Sequence, residues 1–231
     1  MVDTMRTRFD EQMEELHVEL IKMGSLCEEA IALSAQILNE CSREEEVDEE
    51  VREEAIQTVR NKISNLEEEI DSKEYEIETL CMRLLLQQQP VARDLRNISS
   101  ALKMISDMER IGDQASDIAD LTTQGLGYYS QSMIHIDDMA KATVRMVTGS
   151  VDAFVKNDLT LAKKVIKSDD EVDNLFEKVK TELMDLIYEK KIDARESLNL
   201  LMAAKYFERI GDHAVNVAEW VEYSITGERK K

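Results

Sequence analysis

Proline is nearly absent from this sequence, one residue in 231, and glycine is scarce, at seven. Tight turns draw heavily on both, so a turn-rich all-β fold is excluded. Aromatic residues make up only 5%, although a hydrophobic content of 43% suffices for a core. No run approaches the ~18 consecutive apolar residues that a membrane-spanning helix needs. The opening MVDTMRTRFDEQ lacks the apolar stretch of a signal peptide, so a soluble, cytoplasmic protein is expected. The three cysteines, Cys27, Cys41 and Cys81, show no Cys-x-x-Cys spacing and read as free thiols in a reducing compartment. Basic residues are outnumbered, 29 Lys and Arg against 49 Asp and Glu, for a formal net charge of −20. That balance excludes nucleic acid as a direct ligand, because phosphate contacts need a basic face. It equally excludes simple electrostatic docking on anionic lipid. It suits cations, or basic patches on other proteins. Also missing are a glycine-rich phosphate loop, a G-x-S-x-G elbow and a His-rich hydrolase motif, so no enzyme is expected.

Helical periodicity fills the space left by these absences. Phe9, Met13, Leu16, Leu20, Met23, Cys27, Ala30, Leu33, Ile37 and Cys41 recur at threes and fours. Ser42-Arg43-Glu44-Glu45 has the form of a capping box and opens a second stripe, Val47, Val51, Ala55, Val59, Ile63, Leu66, Ile70, Ile77, Leu80 and Leu84. Pro90 suits the first turn of a third helix, which carries Leu95, Ile98, Leu102, Ile105, Ile111 and Ile118. Gly125, Gly127 and Tyr128 to Gln131 mark a boundary, dividing the chain into 1–127 and 128–231. The second half repeats the plan. A fourth helix runs over about 136–155 and a fifth follows the Asn157-Asp158 pair. A sixth opens with Asp193 and Glu196 and ends near Gly227, before a basic tail. Lone long helices are marginal in water, so each set of three must close its own core. The expected fold is all-α, two tandem three-helix bundles of spectrin-like helices related by internal duplication.

The duplication is written in the string ERIGD, at Glu109–Asp113 and again at Glu208–Asp212, 99 residues apart (208 minus 109). The same offset places Asp117 opposite Asn216. Upstream the register slips to 102, setting Glu67 and Asp71 against Asp169 and Asp173, with the QQQP stretch absorbing the slip. The glycine inside each ERIGD costs a helix roughly 0.5–1 kcal/mol relative to alanine. Its presence at equivalent points predicts close backbone approach there.

Each half thus carries two acid pairs at i, i+4, on one helical face. They are Glu67/Asp71 with Glu109/Asp113, and Asp169/Asp173 with Glu208/Asp212. Like charges at this spacing repel. Carboxylate oxygens on adjacent helices suit hard cations such as Mg²⁺, Mn²⁺, Ca²⁺ or Fe³⁺, with Zn²⁺ tolerated. A solvated face is the plain alternative for any single pair. The repetition favours two metal-binding faces; partial neutralisation by Arg110 and Arg209 is the alternative to a bound ion. His213 has Gln114 as its counterpart and reads as structural. Met104, Met108 and Met202 read as core. Glu14 and His17 form a lone Glu-x-x-His, whereas a ferritin-like di-iron oxidase needs two.

QQPVARDLR (88–96), ERIGDQASDIAD and ERIGDHAVNVAEW together resemble the PhoU family, along essentially the whole chain and in the same order. The resemblance implies two three-helix bundles with a pseudo-two-fold relation and iron or zinc on the acidic faces. Glu67, Asp71, Glu109, Asp113 and Asp117 would form the first face. Asp169, Asp173, Glu208, Asp212 and Asn216 would form the second, with less charge because of Asn216. It also implies a negative regulator of phosphate uptake, a homodimeric adaptor between a phosphate ABC transporter ATPase and a sensor histidine kinase. The competing classes are a ferritin-like metal-dependent oxidase and a purely structural helical adaptor.

Overall fold

A computed structural model describes residues 2–41, 48–87, 91–124 and 135–228. They form α1 (Val2–Cys41), α2 (Glu49–Gln87), α3 (Ala92–Leu121), α4 (Ile136–Lys156), α5 (Leu159–Tyr188) and α6 (Ala194–Thr226), with a 3₁₀ turn at Thr122–Gln124. No strand occurs among the described residues. The expected capping box at Ser42–Glu45, Pro90, the 127/128 boundary and the basic tail lie outside the described residues. At the start of the described α2, Asp48 Oδ1 accepts from the Glu50 N–H at 3.1 Å.

The helix ends of the second half follow their sequence signals. Asn157 takes the left-handed conformation, φ 55°, that closes α4. Asp158 then accepts from the Thr160 and Leu161 N–H groups at 2.9 and 3.0 Å and opens α5. Asp193 and Glu196 form the reciprocal capping box of α6, and Gly227 closes that helix at φ 75°.

The apolar stripes become the core. Leu16, Leu20, Met23 and Cys27 of α1, Ile63, Ile70 and Ile77 of α2, and Ile98, Met104, Met108 and Ile111 of α3 are buried. Among the described residues, three expected in the stripes or core are exposed instead. Val51 and Leu95 lie in the first turns of α2 and α3 and stay 57% and 48% exposed. Met202 is 43% exposed, because it shares the solvent-facing row of α6 with Leu198, Arg209, Asp212, Asn216 and Glu219.

Helices α1, α2 and α3 pack on one another, as do α4, α5 and α6. The two bundles join along α3–α6 and α1–α4, so these four helices form the centre and α2 and α5 flank it. Both joins are antiparallel. Asn39 bonds Asp137 at 2.9 Å while Thr148 bonds Glu28 at 2.8 Å. Asp107 meets His213 at 3.0 Å, and the Arg96 guanidinium lies beside Gly227. The α2/α3 and α5/α6 grooves therefore open on the side away from α1 and α4.

Candidate metal centre

Each ERIGD glycine faces the flanking helix. A Cβ at Gly112 would come within 2.9 Å of Ile70 Cδ1. A Cβ at Gly211 would meet Val172 Cγ1 at 3.4 Å. Ile70 and Val172 each immediately precede the second acid of their pair. The close approach thus brings Asp71 toward Glu109 and Asp113 in the first bundle, and Asp173 toward Glu208 and Asp212 in the second.

In the α2/α3 groove, carboxylate oxygens of Asp71, Glu109 and Asp113 all lie within 4.8 Å of one another. Burial pushes the Glu109 carboxyl above its ordinary range, and the charges of Asp113, Glu74 and Asp71 add to it. Burial followed by Asp71 does the same to Asp113. The remaining two expected members stand apart from this trio. Glu67 accepts a hydrogen bond from Ser116 Oγ at 2.6 Å. Asp117, raised by burial and then by Asp113 and Asp120, has Arg209 of the other bundle as its opposing charge. The structure adds Glu74, which accepts from Ser106 Oγ at 3.0 Å. Glu74 lies seven residues after Glu67, on the same face of α2. The internal repeat does not reveal it, because its counterpart, 102 residues on, is Phe176.

The trio fits a hard multivalent cation. Metal–oxygen bonds of about 2.0–2.6 Å allow two ligands of one ion to sit up to roughly 5 Å apart. An all-oxygen, all-anionic donor set matches Mg²⁺, Mn²⁺, Ca²⁺ or Fe³⁺ best, with Zn²⁺ tolerated. Asp71, Glu109 and Asp113 would hold the ion, with Glu74 close by.

The α5/α6 groove differs. Burial, then Asp173, Asp212 and Glu208, push the Asp169 carboxyl up to about 6. Burial and Glu208 raise Asp212, against the opposing charge of Lys205. Lys205 Nζ pairs with Glu208 Oε2 and lies 5.5 Å from the centre of the Phe176 ring. Asn216 turns to the inter-bundle seam, where its amide donates to Asp107 Oδ1 at 3.1 Å.

His213 belongs to that seam too. Its Nδ1 lies 3.0 Å from Asp107 Oδ1, with side-chain exposures of 13% and 10%. Arg110 reaches the same oxygen only at 3.9 Å. The repeat offset makes Tyr206 the counterpart of Asp107 and Asp117 the counterpart of Asn216. Burial and then Asp117 raise the Tyr206 hydroxyl. The seam is thus tied midway by an aspartate and a histidine, and elsewhere carries a tyrosine and an aspartate. His17, of the lone Glu-x-x-His, stands edge-on to Phe154 at 5.8 Å, with Glu14 3.9 Å away. Cys27 and Cys81 are buried free thiols, each pushed up to about 12 by desolvation.

The PhoU domain family matches twice, over residues 20–122 and 136–221. A phosphate-specific transport system accessory protein PhoU homolog of Clostridium acetobutylicum is 36% identical over 226 residues, 97% of either chain. One of the same description from Aquifex aeolicus is 35% identical, covering 86% of this chain and 84% of that one. The crystal structure of PhoU from Pseudomonas aeruginosa superposes with a TM-score of 0.81 at 29% identity, over 95% of this chain and all of that one.

Proposed function

The chain belongs to the PhoU family, and from that we propose that it is an accessory regulator of a phosphate transport system. In this reading it is a non-catalytic adaptor. It restrains a phosphate ABC transporter through the transporter's ATPase and holds a sensor histidine kinase off while phosphate is plentiful. The observation that carries the reading is the extent of the similarity. Both repeats match, and relatives described as phosphate-specific transport system accessory proteins align almost end to end. A surface with a net charge of −20 suits docking on basic patches of partner proteins. No described helix is long and apolar enough to cross a membrane, so contact with a membrane transporter would run through protein surfaces. We place the protein in the cytoplasm, as a homodimer.

In the same reading the acidic grooves bind multivalent cations. The gathered oxygens of Asp71, Glu109 and Asp113 support the first, and iron or zinc is the family expectation. A bound ion would offset the mutual repulsion of these carboxylates and stabilise the α2/α3 hairpin by mass action. A pull-down of the tagged chain from its own cells, phosphate-replete and phosphate-starved, tests the adaptor role. Recovery of the transporter ATPase and a histidine kinase supports it. Their absence under both conditions counts against it.

A further inference from the structure

We infer that the two grooves have diverged into an open cation site and a closed one, with the Lys205 ammonium occupying the α5/α6 groove as a tethered counter-ion. This assignment rests on the metal reading above and adds which half of the chain is loaded.

Three pairs of residues related by the repeat carry it. Lys205 is the counterpart of Ser106, by the offset of 99 that relates the two ERIGD strings. Ser106 Oγ donates to Glu74 at 3.0 Å and brings no charge. Lys205 Nζ pairs with Glu208 and holds a position 5.5 Å from the Phe176 ring. Phe176 is in turn the counterpart of Glu74, by the upstream offset of 102. The first groove thus has an extra carboxylate where the second has an aromatic face, which favours a cation of its own. Ser116, whose hydroxyl bonds Glu67 at 2.6 Å, is replaced by Val215, which has no hydroxyl to offer Asp169. The ERIGD arginines differ in reach: Arg110 opposes Glu109 and Asp113, whereas Arg209 opposes Asp117.

The consequences for charge are direct. The first groove gathers Asp71, Glu109 and Asp113 with Glu74 beside Glu109, opposed by Arg110. In the second, Lys205 opposes Glu208 and Asp212, and Lys180 shares the Phe176 ring with it. An ion entering the second groove must displace a group fixed to the same helix as two of its ligands. A tethered group competes at a high effective concentration. Asn216 contributes nothing to this difference, because its amide is spent on Asp107.

The test is metal content by groove. Full-length protein stripped with EDTA is loaded with Zn²⁺ and, separately, Mn²⁺, then desalted. Bound Zn²⁺ is counted by elemental analysis and bound Mn²⁺ by electron paramagnetic resonance, with helicity checked by circular dichroism. The wild type is expected to lose its metal in Asp71→Asn/Asp113→Asn and keep it in Asp173→Asn/Asp212→Asn. Lys205→Ser should raise the metal content about twofold by opening the second groove, and Lys205→Arg should match the wild type. Loss of wild-type metal in Asp173→Asn/Asp212→Asn overturns the inference alone, as does a Lys205→Ser protein that gains none. Absence of metal from every variant overturns the metal reading and the inference together. Should Lys205→Ser fail to fold, the two double variants and Lys205→Arg still decide.

Discussion

Asp107 of α3 and His213 of α6 meet across the seam between the bundles, Oδ1 to Nδ1 at 3.0 Å, with both side chains largely withdrawn from solvent. Removing one partner leaves a largely buried carboxylate supported by Asn216 and a distant Arg110. His213→Ala should therefore destabilise the protein by about 1–3 kcal/mol. Asp107→Ala/His213→Ala should lose clearly less than the sum of the single changes, because the two side chains interact directly. Urea denaturation of the four proteins at neutral pH checks this. Strict additivity would mean that the pair does not couple the bundles.

Gly112 and Gly211 should separate under the same substitution. Alanine improves helix propensity by roughly 0.5–1 kcal/mol at either position. At Gly211 the new methyl meets Val172 at an ordinary 3.4 Å, whereas at Gly112 it falls 2.9 Å from the fully buried Ile70. Overpacking of that kind costs about 1–3 kcal/mol. Gly211→Ala should melt at or above the wild-type temperature and Gly112→Ala below it. The reverse order would contradict the close approach in the first bundle.

Asp169 should make the protein less stable as pH rises. Its carboxyl lies near 6 in the folded chain, against an ordinary value of 3.8. Within that interval the folded state holds a proton that the unfolded state has released, so the slope of stability with pH is negative. The contribution is most favourable below the lower value and is lost as pH passes the upper. The upward shifts of Glu109, Asp113, Asp117 and Asp212 act in the same sense. Asp169→Asn, in EDTA, should be more stable than the wild type at pH 7 and indistinguishable from it near the bottom of the interval. Denaturant midpoints measured across this range decide, and parallel curves would refute the assignment.

Glu109→Gln/Asp113→Asn should bind less metal than the wild type, yet remain folded and melt slightly higher when metal-free, because two mutually repelling charges are gone. Added Zn²⁺ or Mn²⁺ should raise the wild-type melting temperature and leave the variant's unchanged. An equal response of both proteins would place the bound ion elsewhere.

Most of the fold was legible because helices announce themselves locally. The stripes Leu16-Leu20-Met23 and Ile63-Ile70-Ile77, the Asp158 cap and the Asp193/Glu196 box each depend on neighbours within a turn or two. The acids of the first groove were legible through repetition, since Asp71, Glu109 and Asp113 each have an acidic counterpart. That same criterion concealed Glu74, whose counterpart is aromatic, and Lys205, whose counterpart is a serine. Asn216 was expected on the second face, but its amide crosses to Asp107. A contact between α3 and α6 depends on how two bundles pack, and no local periodicity encodes it.

The central claim concerns phosphate, and it is tested most directly by the initial rate of labelled phosphate uptake in phosphate-replete medium, in cells with and without this gene. A strain lacking it should take up phosphate faster and express its starvation genes, and the wild-type chain supplied in trans should restore both. Uptake and starvation-gene expression that do not change on deletion would contradict the account.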